Sequence, residues 1–277
     1  MNINIKMAVL MVFSSVTLIA QDFQGVATYK TQRKLDIKMD STQVGGMQDQ
    51  IMAMLKKQFE KTYTLTFNKA HSIYKEEESL APPSMGGSMV IISGMGGSGE
   101  LYKNTKEQRY VRQSDLFGKL FLIEDKLKET DWKLHSDTKN IGTYTCYKAT
   151  MEHGLDAFEL DEADASGKTT TTVTAWYTPQ IPVSNGPDEF QGLPGLILEL
   201  SYDSQTILCS KVTLNSKSKS TIKAPTNGTS VTQSEFDAIR TKKMNEMESQ
   251  YDHHDDENSF EIKIGGISVS GYILAAP

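Results

Sequence analysis

The densest grouping of side chains able to do chemistry is His253-His-Asp-Asp-Glu257. Imidazole and carboxylate together can bind zinc, nickel or copper. Adjacent residues face one ion poorly, however, and no cysteine or further histidine stands at a ligand spacing. The segment reads as a solvated acidic tail. Thirteen methionines, Met52, Met54, Met85, Met89, Met95, Met244 and Met247 among them, offer soft thioethers for Cu(I). Without a regular array they read as fillers of helix faces and loops. An apolar run from Met89 leads into Gly94-Met-Gly96-Gly-Ser-Gly99, the glycine spacing of a dinucleotide phosphate loop. The residues that follow, 101–109, read as strand and turn where that fold needs a helix, so the glycines are assigned to a flexible loop. Neither a GxSxG elbow nor an HExxH pair occurs. Asp161, Glu162 and Asp164 lie in a Gly/Ala/Ser-rich stretch that would not raise a carboxyl pKa for acid–base work. His71, His135 and His153 are scattered without identifiable partners. No metal site and no cofactor is expected.

The most unusual stretch runs from Ala175 to Leu200. A strand ends in the aromatic pair Trp176-Tyr177, and a loop stiffened by Pro179, Pro182 and Pro187 follows. Gly192-Leu-Pro-Gly195 then turns sharply into the apolar strand Leu196-Ile-Leu198. Gly192 and Gly195 would permit positive φ, with Pro194 fixing the turn. A loop so preorganised suits a structural clasp or a binding rim. Trp176, Tyr177 and Phe190 are the candidate contact residues and Asp188 the polar one. The competing reading is that the aromatics simply plug the sheet.

Strand patterns dominate the elements that must position this loop. Tyr63, Leu65 and Phe67 alternate with Thr62, Thr64 and Thr66, and residues 62–76 read as a hairpin through Asn68-Lys-Ala70. Further strands are expected at 23–29, 107–113, 117–124, 141–150, 169–177, 195–203 and 206–214, the last two forming a second hairpin. Short strands and tight turns argue for antiparallel pairing over βαβ units. Met47, Ile51, Leu55 and Phe59 stand at helical spacing in 47–59. Thr232-Gln-Ser-Glu235 is a capping box that opens a polar helix over about 233–250. Segments 79–100 and 216–231 read as mobile loops.

The chain has 277 residues, a formal charge of −6 and two cysteines. That length buries a core without a disulfide framework, and two cysteines exclude a four-cysteine zinc module. An acidic balance with no long basic run argues against nucleic acid as partner. Lys6 followed by the uncharged run Met7–Ala20 has the plan of a secretory signal peptide, with cleavage after Ala20. Its removal leaves 28 basic against 35 acidic residues, since only Lys6 is lost. No later stretch approaches the length of a membrane span. In an oxidising compartment Cys146 and Cys209, each in a strand-like setting, would either pair or stay separately buried. A disulfide closing that loop of about sixty residues would add roughly 3–4 kcal/mol.

Gly192-Leu-Pro-Gly-Leu-Ile197 resembles the signature of the GLPGLI family, exported proteins of Gram-negative bacteria. Trp176-Tyr-Thr, Ile181-Pro182, Gly186-Pro187, Phe121–Asp125, Trp132-Lys-Leu134 and Ile141–Ala149 also look like its pattern. The resemblance covers about residues 23–250 and extends to the N-terminal bowl-like domain of certain secreted peptide-N-glycosidases. It implies no catalytic residues, and it implies a periplasmic accessory role beside outer-membrane transporters. The expected architecture is mainly β, a curved antiparallel sheet or half-barrel of about ten strands with one or two packed helices. A signal peptide at 1–20, one domain over 21–250 and a C-terminal tail at 251–277 complete the expected organisation. The leading function is a non-enzymatic periplasmic binding or accessory protein, whose concave sheet face holds a small apolar ligand or a partner segment. An envelope hydrolase with a scattered active site and a metal-binding protein are the alternatives.

Overall fold

A computed structural model of the chain describes residues 23–33, 60–77, 97–154, 170–202, 205–215, 221–251, 259–264 and 267–272. The expected signal peptide, the helix over 47–59 and the cluster His253–Glu257 lie outside these residues. The architecture is mostly β, as the alternation in the sequence requires. The first half contributes β1 (Gln24–Arg33), β2 (Thr62–Asn68), β3 (His71–Glu76), β4 (Gly97–Asn104), β5 (Arg109–Leu116), β6 (Lys119–Lys126) and β7 (Lys133–Ile141). The second contributes β8 (Tyr144–Gly154), β9 (Thr170–Thr178), β10 (Leu196–Tyr202), β11 (Gln205–Leu214), β12 (Thr229–Val231) and one helix, α1 (Gln233–Tyr251). A separate antiparallel ribbon, β13 (Ser259–Ile264) with β14 (Ile267–Tyr272), occupies what the sequence suggested was a tail.

Twelve strands form one open, curved sheet in the order β12-β6-β5-β4-β3-β2-β1-β11-β10-β9-β8-β7. Every pairing is antiparallel except the short β12–β6 contact, which is parallel. Register carries apolar rows across the inner face. Ala27 faces Leu65, Leu65 faces Tyr74, and Tyr74 faces Leu101. On the other arm Ala149 faces Ala175, which faces Leu200, which faces Ile207. All eight are buried.

In the large sheet β7 and β12 were missed and β4 was read only in its second half, for distinct reasons. β7 is exposed along nearly its whole length, so its sequence shows no alternation to detect. β4 begins in the segment assigned to a loop, because Gly97, Ser98 and Gly99 carry no apolar signal. Gly99 is there for backbone approach: a Cβ on it would stand 2.2 Å from the Gln113 carbonyl oxygen. β12 is three residues inside the other expected loop and is held by β6 alone. The capping box forms as its sequence implies, with the Thr232 amide donating to Glu235 Oε2 at 2.7 Å and the Glu235 amide to Thr232 Oγ1 at 3.3 Å. Phe236 then packs edge-on against Phe121, ring centroids 5.5 Å apart, fixing α1 to the sheet.

Cys146 and Cys209 are free, buried thiols, and no disulfide joins them. They stand on β8 and β11 with β9 and β10 between. At about 4.8 Å per strand that separation exceeds the reach of a disulfide.

Tyr29, on the central strand β1, is fully buried and donates its hydroxyl to the Ile197 carbonyl at 2.7 Å. Tyr29→Phe removes this bond while keeping the ring, so a loss of about 1–2 kcal/mol is expected. A downward shift in the urea midpoint with an unchanged slope is the measurement.

Candidate functional site

The loop 179–195 is folded into the sheet's concave side by its own apolar residues. Ile181, Val183, Phe190 and Leu193 are buried in the main core. Short-range turns shape it: Val183 N–H donates to Ile181 O, Asn185 N–H to Val183 O, and Gly195 N–H to Leu193 O at 2.8 Å across Pro194. The last is a three-residue turn centred on a proline whose fixed φ suits it. Leu196 and Ile197 then donate back to Ile181 and Asn185, stitching the loop to the start of β10.

Gly192 has φ +94°, as the expectation of positive φ required. Gly195 does not, and its role is different: a Cβ there would stand 2.2 Å from the Thr178 carbonyl oxygen. The side chain is excluded by a strand backbone passing beside it.

Beneath the loop lies a lysine that sequence reasoning missed. Lys103 is fully buried on β4, and its Nζ donates to the carbonyls of Gly186 at 3.0 Å, Asp188 at 2.5 Å and Phe190 at 3.3 Å. An ammonium has three donors, and all three meet main-chain oxygens of one loop. The signal was available: Lys103 is in phase with Leu101, so on a strand it shares the inward face. Arg112 on β5 reaches the same loop from the next strand, donating from Nη2 to Asp188 Oδ1 at 2.9 Å. Asp188 holds φ +47°, a left-handed conformation uncommon for a side-chain-bearing residue. Burial pushes the Lys103 ammonium down to about 7; Asp188 opposes the shift, Arg112 adds to it and Glu189 opposes it.

The loop does not fill the concavity completely. A cavity of about 410 Å³ remains between the two arms of the sheet. Leu101, Lys103, Tyr110 and Arg112 come from β4 and β5; Met151, Glu152, His153 and Gly154 from the end of β8. Leu127–Thr130 and the loop residues Glu189 and Phe190 complete it. Seven strands separate β5 from β8 in the sheet, so their convergence measures how far it curls. Phe190 is the hinge of the wall: its ring lies 5.5 Å from His153, 5.7 Å from Tyr202 and 6.5 Å from Trp132. The Trp132 indole donates to the Gln191 carbonyl at 2.7 Å. His153 Nε2 and Glu189 Oε1 are 3.4 Å apart, and Lys128 Nζ is 3.9 Å from Glu189 Oε2.

The four candidate contact residues are therefore not one constellation. Phe190 lines the cavity, and Asp188 bears on it through Arg112. Tyr177 is buried and packs against Tyr147, away from the lining. Trp176, the next residue on the strand, turns to the opposite face. There Lys139 Nζ sits 4.4 Å from its ring centroid and 2.7 Å from Glu199 Oε1.

Gly192→Ala should destabilise by roughly 2 kcal/mol or more, because the left-handed φ is strained for alanine. The new Cβ would also stand 2.1 Å from Thr130 Oγ1. Adding Thr130→Ala should recover the steric part and leave the backbone part, which a double-mutant denaturation cycle reads directly. For Lys103, a lysine-selective NMR titration should show one side chain with a midpoint near 7. Asp188→Asn removes the charge that opposes burial, so the midpoint should move lower still.

Residues 132–199 match the sequence model of a family described as "Protein of unknown function (Porph_ging)". That span holds Trp132, the loop and the hexapeptide Gly192–Ile197. No curated protein matches the chain. Among solved structures, two crystal forms of PNGF-II are similar, at 15% and 14% identity with TM-scores of 0.46 and 0.47. The match covers 79% of this chain and 33% of that one, so the chain spans a third of PNGF-II's length. A third is the Mycobacterium tuberculosis lipoprotein LppX, at 13% identity and a TM-score of 0.23, covering 76% of this chain and 90% of the other.

Proposed function

We propose that this chain is an exported, periplasmic binding protein of the GLPGLI type, without catalysis of its own, that holds a small ligand with an apolar body. The observation that carries this reading is the cavity of about 410 Å³ left between the curved sheet and the loop folded into it. Its volume lies in the range of small-molecule sites, about 300–1,000 Å³. Leu101, Leu127, Met151 and Phe190 give it apolar walls, and polar groups from both arms of the sheet face it. The binding region thus shifts from the whole concave face, which the loop occupies, to the part the loop leaves open. Export rests on the basic start and apolar run of residues 1–20, and a role beside an outer-membrane transporter on the family resemblance. Among the described residues, no helix is long and apolar enough to cross a membrane.

A hydrolase is the second reading, and one observation favours it: the His153–Glu189 contact lies in the cavity. Of the hydroxyls in the lining, one is hydrogen-bonded and the other is packed against a glycine. Tyr110 donates to Gln233 Oε1 at 2.9 Å, and Thr130 Oγ1 lies under Gly192. Binding accounts for the cavity without a further nucleophile. For the metal alternative, no group of three or more ligand-type side chains is assembled among the described residues.

The neutral dye N-phenyl-1-naphthylamine, which fluoresces in apolar surroundings, tests the cavity. Saturable 1:1 enhancement is expected, and it should be lost in Leu127→Trp and in Met151→Trp, each of which fills the space. Thermal melts confirm that the variants fold. No saturable signal from the wild type, or undiminished binding in both folded variants, would overturn the reading.

A further inference from the structure

The charges around the cavity are not randomly arranged by depth. The innermost are cations. Lys103 is fully buried, and the side chain of Arg112 is 24% exposed. The carboxylates of Glu129 and Glu152 belong to exposed residues at the rim. Lys103 spends its three donors on neutral carbonyls, so no carboxylate touches its charge. Asp188 is hydrogen-bonded to Arg112, and Asp188 and Glu189 act on the Lys103 ammonium only through space. A low-dielectric cavity magnifies the field of the buried guanidinium, and of Lys103 when it is protonated, for whatever anion enters it.

One carboxylate already lies between an imidazole and a further cation. Glu189, on the loop next to Phe190, sits 3.4 Å from His153 Nε2 and 3.9 Å from Lys128 Nζ. Both distances are longer than a well-made charged hydrogen bond, about 2.7–2.9 Å. The Glu189 side chain is also one-third exposed, so it can swing to water without leaving a buried charge behind. The contact is of the weakly held kind that another anion can replace at little cost. Immediately beside it are the apolar walls from Leu101, Leu127, Met151 and Phe190.

We infer that the ligand is a small anionic amphiphile: its apolar chain lies against Leu101, Leu127, Met151 and Phe190, and its anionic head takes the place Glu189 occupies between His153 and Lys128. Glu189 is thus an internal stand-in for the ligand head. Binding exchanges one carboxylate for another beside the same imidazole and ammonium and adds the burial of the chain. The inference rests on the cavity being a binding site and adds to it the sign of the ligand and the direction in which it enters.

The test is displacement of N-phenyl-1-naphthylamine by three probes with the same ten-carbon chain and different heads: decanoate, decanol and decyltrimethylammonium. Decanoate should displace the dye at a concentration at least ten-fold below the other two. The preference of decanoate over decanol should rise several-fold in Glu189→Gln, where the internal competitor is neutral. It should fall in Lys128→Gln combined with His153→Gln. Three probes of equal potency, or a preference for the cation, overturn the anionic assignment while the cavity still binds the dye. Decanoate preference that does not rise in Glu189→Gln overturns the stand-in role. Failure of the dye itself to bind the wild type is a different result, and it removes the binding reading beneath this one.

Discussion

A lysine ammonium buried under a loop of bare carbonyls is the interaction on which the functional half of this molecule depends. Removing such a charge from water costs several kcal/mol unless its donors are met. Lys103 meets them only if Gly186, Asp188 and Phe190 point their carbonyls at one spot. That convergence dictates the local chain. Gly186 has no room for a side chain, since a Cβ would stand 2.7 Å from Ile197 Cδ1. Asp188 must take a left-handed φ, and it is held there by Arg112. Strand β4 cannot bury its lysine without the loop, and the loop cannot hold its shape without the lysine.

The polar clamp and the apolar anchors of the loop divide the work. Ile181, Val183 and Leu193 pin one part of the loop into the concave face, where each buried side chain is worth about 1.5–3 kcal/mol. Lys103 and Arg112 pin the other part, where the loop faces β4 and β5. Anchors of the first kind fill space, while anchors of the second kind set orientation and leave a gap beside them. The cavity is that gap, and its walls inherit the character of both: apolar from the packing and polar from the clamp.

How much of this was legible in the sequence follows from which residues alternate. The 62–76 hairpin was readable because one side is buried and its apolar residues recur every second position, whereas 195–203 was readable as an apolar run, Leu196, Ile197 and Leu198 being buried in succession. β7 was not, since Lys133, His135, Asp137 and Lys139 meet water and nothing in the core selects against them. Trp176 and Tyr177 looked like a pair, yet consecutive strand residues diverge, and that divergence was itself deducible from the strand assignment. The cavity was beyond reach for a different reason. It joins β5 to β8, and no local pattern reports how tightly a sheet curls. The phase of Lys103 with Leu101 marks it as inward-facing, but what it and Arg112 grip was not legible, because the backbone of residues 186–190 has no side-chain signature.

The placement of β1 in the middle of the sheet has a consequence for how the chain becomes this structure. Its first described strand pairs with β2 on one edge and with β11 on the other, where Gly25 faces Leu214. As a nascent chain emerges, β1 to β6 can assemble as a meander, but β1 keeps a bare edge until β11 has been made. Pairings between segments so distant in sequence form slowly. A half-built sheet with an open hydrogen-bonding edge is what holdase chaperones capture, and it also invites wrong partners. Under the proposed export, a central strand that waits for its partner keeps the polypeptide threadable until β11 has arrived.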